Sequence, residues 1–512
     1  MKPNYFLHQL AALLFVVSVF PSCDKYLATP PSKTTALVVS TTDQLNALLN
    51  NVSVFYQDVN NPTLCYGSDD CGFSTDLYKA GPGNFSRDVI EYSTWDTAYA
   101  PDDLYEITWS TEYKKIFTAN IALTYVDKVS GPDSDKAVIA ADAHFIRAYI
   151  YFQLANIYCL PYTDANKNEP GLPLKQSVSF DEPVARAPLS GVYTLIESDL
   201  AAALQIKIPL VQNGKPRHWR ANTAAVRAFA ARYWLSRNNY ALAQQYADSA
   251  LAEYNTLVDY NVDMRYGNSQ VIKINGGTPN AQTVTVLFPY TANNQTDMTD
   301  MIGWKEFLYF RMLSNGSWWF IPSSDLLNLY DQAHDLRYKY HMVQNYSYTR
   351  SMVNPAYSYP GYIFFFWQWI PSGPTVAEML LVKAECQARL GDFAAAMNTV
   401  NILRAKRMTP GAWVNLTATS KADALTQILA ERRREMPFTQ RWFDIRRYNS
   451  NDDPADDIPQ LTRTFFPYDG ANVYSTQVPV QYTLPKNSRR FASPIPRTEL
   501  ISSNGVITQN KY

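Results

Sequence analysis

Residues 431–448 read ERRREMPFTQRWFDIRRY. Arg441, Asp444, Arg446 and Arg447 follow closely on a Glu/Arg-rich helix that holds Glu431, Arg432, Arg433 and Glu435, and Trp442 sits among them. Charges gathered this tightly around a large apolar ring are expected to pair with one another. The segment therefore reads as a structural ion-pair knot. It does not read as a catalytic site.

Working outward, the preceding stretch supplies a helical scaffold. Ala377 to Lys406 carries Ala384, Gly391-Asp392-Phe393, Ala396, Val400 and Leu403. Ala224 to Tyr254 carries Tyr233, Asn239-Tyr240, Ala243, Tyr246 and Ala250-Leu251. Each has a turn, an aromatic residue and an Ala three residues later, the interlocking of small and large side chains found in tetratricopeptide helix pairs. Further helices are predicted over Thr41–Asn50, Trp109–Val129, Ser134–Tyr158 (after Pro132) and Val192–Leu204. In the second of these, Trp109, Tyr113, Ile116, Phe117, Leu123 and Val126 share one face. Asn255 to Thr375 loses the helical period and is rich in Gly, Pro, Asn and Tyr. It is too long for a structureless loop, so it reads as strands, short helices and ordered loops over the scaffold, where binding sites usually sit. Within it, Ile363 to Trp369 is bounded by Pro360-Gly361 and Pro371 and reads as a buried strand. The fold expected is mostly α.

Composition narrows the function classes. The 512 residues are 46% hydrophobic, enough for a large core and against disorder over most of the length. The net charge of −1 gives no basic field for nucleic acid. Aromatics reach 14%, with 36 Tyr and 11 Trp, while charged residues are only 18%; flat rings with polar handles suit recognition of something neutral. At the start, Lys2, the apolar run Leu10–Phe20 and Pro21-Ser22-Cys23 have the layout of a secretory signal peptide. Its apolar run is too short to span a membrane. Cys23 after a small residue resembles a bacterial lipobox, which implies cleavage before it and acylation. The expected division is a signal over 1–22 and one domain over 23–512. Cys65 and Cys71 flank a turn-rich loop outside the reducing cytosol and form a candidate disulfide. Cys159 and Cys386 sit in apolar helical patterns and read as buried thiols.

Three segments together resemble the SusD/RagB family of outer-membrane nutrient-binding lipoproteins. The first is the opening stretch, in which Glu431, Arg432, Arg433, Glu435, Phe438, Arg441, Trp442, Asp444 and Arg447 fall on the family's places. There Thr439-Gln440 stand where an acidic residue and Gly are usual, and Pro437 is inserted. The second is the C-terminus, with Pro494-Ile495-Pro496, Glu499, Asn504, Gln509-Asn510 and Tyr512. The third is Trp109, Tyr113, Ile116 and Asn120 on the first long helix. The resemblance implies a SusD-like fold with helical parts at about 105–255 and 375–448, an irregular ligand-binding region at about 256–374 and a docked tail over 449–512. It also implies an anchored surface protein that captures oligo- or polysaccharide for a SusC-like TonB-dependent transporter, with peptide as the alternative ligand, no cofactor and no nucleic acid; a surface glycoside hydrolase is the further alternative.

Catalytic signatures are missing from the sequence. No HExxH, GxSxG or GxxxxGK[ST] occurs. The adjacent acidic pairs Asp69-Asp70, Asp102-Asp103, Asp452-Asp453 and Asp456-Asp457 read as solvated loop carboxylates, since glycoside hydrolysis needs two carboxylates facing across a bond. Asn449–Asp457 lacks the spacing of a known calcium loop. The candidate ligand residues are loop aromatics and acids: Trp95, Tyr99, Asp69, Asp70, Trp304, Trp318 and Trp319. Trp109, Trp234 and Trp442 are assigned to packing.

Overall fold

The computed structural model describes residues 39–59, 61–101, 107–179, 181–294, 298–317 and 320–512. The signal segment, Cys23, Asp102-Asp103, Trp318 and Trp319 lie outside the described residues.

Helix α1 (Thr42–Leu49) starts with a capping box, Thr41 accepting from the Gln44 amide while Gln44 reaches back. Helices α2 (Thr108–Tyr125), α3 (Asp133–Tyr158) and α4 (Leu189–Ala203) pack side by side. The C-terminal half of α3, from Phe145 to Tyr158, is buried on every face. This explains its weak amphipathic pattern, because a helix with neighbours all round need keep no polar face. Two antiparallel pairs follow: α5 (Thr223–Ser236) with α6 (Tyr240–Glu253), and α7 (Val376–Arg389) with α8 (Phe393–Arg404). Their turns share one device. Asn239 caps α6 after Asn238 at φ 58°, and Asp392 caps α8 after Gly391 at φ 98°. Ala228, Ala231, Ala243, Ala247, Ala384, Ala388 and Ala396 then form one small-residue core that lets the four helices approach closely. This is the tetratricopeptide-like packing read from the sequence.

Helices α9 (Lys421–Glu435) and α10 (Arg441–Tyr448) complete the scaffold. Strands are short or paired in hairpins. Strand β1 (Gln57–Val59) pairs in parallel with β4 (Met312–Ser314), which pairs antiparallel with β5 (Trp369–Pro371). Strands β2 (Tyr266–Ile274) and β3 (Gln282–Pro289) form one hairpin. In the tail, β6 (Gln460–Phe465) pairs with β7 (Val480–Pro485). The expected single strand over Ile363–Trp369 is not formed. Gly361–Tyr362 pairs with Met342–Val343, and the chain then doubles back so that Phe365 bridges Trp369, with Phe366 and Trp367 at φ 32° and 63°. The reversal lets successive rings bury against different partners, Phe364 stacked 4.3 Å from His341 and Phe365 edge-on to Trp304. A continuous strand would send them to opposite faces.

The opening segment is the expected knot. Asp444 accepts from Arg432 at 2.8 Å and from Arg447 at 2.9 Å. Arg447 also grips Glu385 of α7, at 2.5 and 2.7 Å. Arg232 of α5 holds Glu378 of α7 through Nε and Nη2 at 2.8 and 2.6 Å. Glu431 is met by Arg337, Arg404 and Arg434, and Glu435 by Arg337 and Arg407. The tail docks on α3: Ser493 donates to the Ile157 carbonyl, and Asn510 to those of Tyr158 and Ser493.

Burial opposes ionisation of Glu385, but the guanidiniums of Arg447 and Arg389 outweigh it and hold the carboxyl at about 2. A carboxyl depressed in the folded state contributes stability that is present above its unfolded value and lost as pH falls through its folded one. Against an unfolded value of 4.5, the contribution is about 3 kcal/mol, complete above about pH 5 and lost progressively toward pH 2. Urea melts at pH 7, 5 and 3 should show this decline. Glu385→Ala should cost about 3–5 kcal/mol at pH 7, because it removes the carboxylate that the two buried guanidiniums share and leaves Arg447 only Asp444 and Arg389 chiefly Asp456.

Candidate functional site

Pro62–Tyr66 is a short helix capped by Asn61, and the loop after it is held on three sides. Arg463 of β6 donates to the carbonyls of Tyr66, Ser68 and Cys71. Arg433 and Arg441 of the knot take the two acids. Asp70 receives Arg433 at 2.6 Å and the Phe438 amide at 2.8 Å, and Asp69 chelates Arg441 at 2.7 Å through both oxygens. From the irregular region, Ser323 donates to both the Asp69 and Asp70 carbonyls, and the Gly72 amide donates to Ile321 at 2.7 Å. Gly72 is required by this lacing: a Cβ there would come 2.9 Å from the Pro322 carbonyl oxygen.

These contacts frame an open groove of about 470 Å³. Phe73 forms one side, its ring 4.3 Å from Phe465 and with the Arg463 guanidinium 5.6 Å from its centre. Tyr357, Tyr359 and Pro360 also line it, the two tyrosines edge-to-face at 6.1 Å. Hydroxyls dominate the rest: Ser74, Thr75, Ser324, Ser358, Thr462 and Thr464. Asp69 borders the groove with its charge answered; burial raises its pKa, but Arg441 and Arg433 prevail and hold it at about 2. The groove thus offers the partly exposed rings of Phe73 and Tyr357 beside largely buried Tyr359, many hydroxyl groups, and two carboxylates, Asp69 with its charge answered and exposed Asp325.

The candidates read from the sequence divide against this geometry. Asp69 lies at the groove, whereas Asp70 is fully buried behind it. Neither is a solvated loop carboxylate, because both neutralise the knot's arginines. Trp95 is 4% exposed, its indole N–H donates to the Gly67 carbonyl at 2.8 Å and Arg463 lies against its ring. It supports the loop from inside and offers no platform. Tyr99 is buried, its hydroxyl 2.5 Å from Asp88 and Arg87 over its ring. Trp304 is core, packed against Phe364 and Phe365. In the tail, Asp453 meets Lys421, Asp456 meets Arg389 and Asp457 meets Lys486. The candidate disulfide is not formed: Cys65 and Cys71 are both free buried thiols. One sits in the short helix and the other in a bridge to Pro322, so the chain geometry is set by hydrogen bonds rather than a cross-link. Phe73, Tyr357 and Tyr359 were missed. Tyr357-Ser358-Tyr359-Pro360, aromatic residues set among turn formers, was the available signal.

Family models match on either side of the irregular region. One described as "Starch-binding associating with outer membrane" matches residues 25–235, and the SusD family model matches residues 376–512, together about two thirds of the chain. The chain belongs to the SusD/RagB family. Among solved structures, a SusD superfamily protein from Bacteroides thetaiotaomicron aligns at a TM-score of 0.64 and 18% identity, covering 92% of this chain and all of its own. A SusD-like carbohydrate binding protein from Bacteroides vulgatus aligns at 0.58 and 19%, over 91% of this chain and 97% of its own. A laminarin binding SusD-like protein aligns at 0.55 and 18%, over 92% and 99%. At these identities the likeness is one of fold. No curated protein matches the chain.

Burial pushes the Cys65 and Cys71 thiols above their ordinary range, and Cys159 up to about 11. A chain starting at Asp24 should therefore give almost no reaction with a thiol reagent when native and four thiols in denaturant. Two thiols under denaturing, non-reducing conditions would show that a disulfide forms after all.

Proposed function

We propose that this SusD/RagB-family chain is a lipid-anchored protein of the outer-membrane surface that captures oligo- or polysaccharide in the groove between residues 69–77 and 357–360. It would pass the ligand to a SusC-like TonB-dependent transporter, with the helical scaffold facing that partner. The observation that carries the reading is the groove's chemistry: Phe73, Tyr357 and Tyr359 among neutral hydroxyls. Sugar rings lay their apolar C–H faces on aromatic rings while their hydroxyls exchange hydrogen bonds with Ser, Thr and Asp. The family description and the carbohydrate- and laminarin-binding structural neighbours support the same class. Anchoring through Cys23 fits a chain in which no helix among the described residues is long and apolar enough to cross a membrane. The role read here is binding without catalysis: of the two acids bordering the groove, Asp69 and Asp325, Asp69 is engaged by Arg441 and Arg433.

Native affinity gels of the chain from Asp24, run with plant, algal and host polysaccharides and assayed for released reducing ends, test the proposal. Retardation by one polymer class without sugar release is expected. Tyr357→Ala should weaken that binding by about tenfold, the effect of truncating an interface aromatic worth about 1–2 kcal/mol, with an unchanged melting temperature. Sugar release would replace binding with hydrolysis. Free migration in every lane, with retention of a peptide pool, would move the ligand class to peptides.

A further inference from the structure

A second, small cavity lies against the knot. It occupies about 40 Å³ between α3, α4, α5, α9 and α10, and its lining includes Arg232, Arg432, Arg446, Arg447, Tyr193 and Gln440. Half-buried Tyr162, Ser236 and Ser450 stand at its outer side. Four guanidiniums and a single carboxylate, Asp444, line this space.

Three of the four arginines have an acidic partner. Arg232 holds Glu378, Arg432 holds Asp444, and Arg447 holds Glu385 and Asp444. Arg446 does not. Its Nη1 donates to the Phe491 carbonyl and its Nη2 to that of Cys159 at 2.8 Å, both neutral acceptors. The set of four guanidiniums and three carboxylates therefore carries one uncompensated positive charge. Arg446 is 2% exposed, and burial lowers it to about 10, the direction expected for a cation lacking a counter-charge. Two donors on this lining also lack acceptors: Arg432 Nη1 and Arg446 Nε. Buried cations are normally paired, and buried N–H groups normally have acceptors. Both shortfalls fall on residues of the same cavity.

We infer that this cavity is a binding site for one small monovalent anion of the halide type, chloride in practice, which supplies the missing negative charge and accepts from Arg446 and Arg432. The space admits an ion with little more than a water or two beside it. A purely neutral water would satisfy the donors and leave the charge. The anion would lock α10 to α3 and to the tail segment at Phe491, the contacts that Arg446 makes. The inference is independent of the ligand groove.

Thermal melts of the chain from Asp24, which retains every described residue, should be run in sodium gluconate with chloride added at constant ionic strength. Gluconate is too large for the cavity. A saturable rise of about 2 °C or more is expected with chloride and with bromide. Arg446→Met should remove the chloride response. A crystal grown in bromide should show an anomalous peak beside Arg446 and Arg432, a readout that stands even if the variant does not fold. Melting temperatures indifferent to chloride, or bromide found only at the protein surface, would overturn the assignment.

Discussion

The bidentate grip of Arg447 on Glu385, shared through Asp444 with Arg432, is the interaction on which the rest of this molecule depends. It joins α10 to α7 and α9 where all three are buried. Isolated, each of these charges would cost several kcal/mol to bury. In company they are compensated, and the requirement for a partner on every side restricts the helices to one mutual arrangement. Arginine suits this work because its planar fork gives two parallel bonds to a carboxylate, and because it stays charged when buried.

From the same helix, Arg433 and, just beyond it, Arg441 extend the network to Asp69 and Asp70. The knot thereby reaches a loop more than 360 residues away in the chain and fixes its course, as the separations of these pairs show. That loop presents Phe73 and Ser74 to the groove, opposite a segment of the irregular region. The groove proposed for the ligand is thus held by the scaffold's own ion pairs. Thr439-Gln440 stand where the family usually has an acid and Gly, and here Asp70 supplies a carboxylate to the Phe438 amide at that turn.

Much of the scaffold was legible because its signals are local. Asn239 and Asp392 mark the two tight turns, and the alanines of α5 to α8 sit at helical spacing, so the pairs could be placed within a few residues. The ion-pair character of residues 431–448 was also legible, since so many opposed charges around Trp442 leave few other uses. The groove proposed for the ligand was not. Trp95, Tyr99 and Trp304 lie in segments without helical period, which made them resemble exposed recognition residues. Yet an aromatic ring in a loop is exposed only if nothing folds over it, and that depends on segments distant in sequence. Arg463 approaches Trp95 from across the chain, and Phe364 and Phe365 cover Trp304.

The sequence by itself determined the helical scaffold, its small-residue packing and the charged knot, because each rests on spacing within some thirty residues, and the family, because three such local motifs occur together. Only the tertiary structure decided which aromatics face solvent, that Asp69 and Asp70 serve arginines, that Cys65 and Cys71 are free thiols, and that Ile363–Trp369 turns back on itself. Those outcomes follow from burial and charge compensation between distant segments, and no local pattern encodes which distant partner arrives.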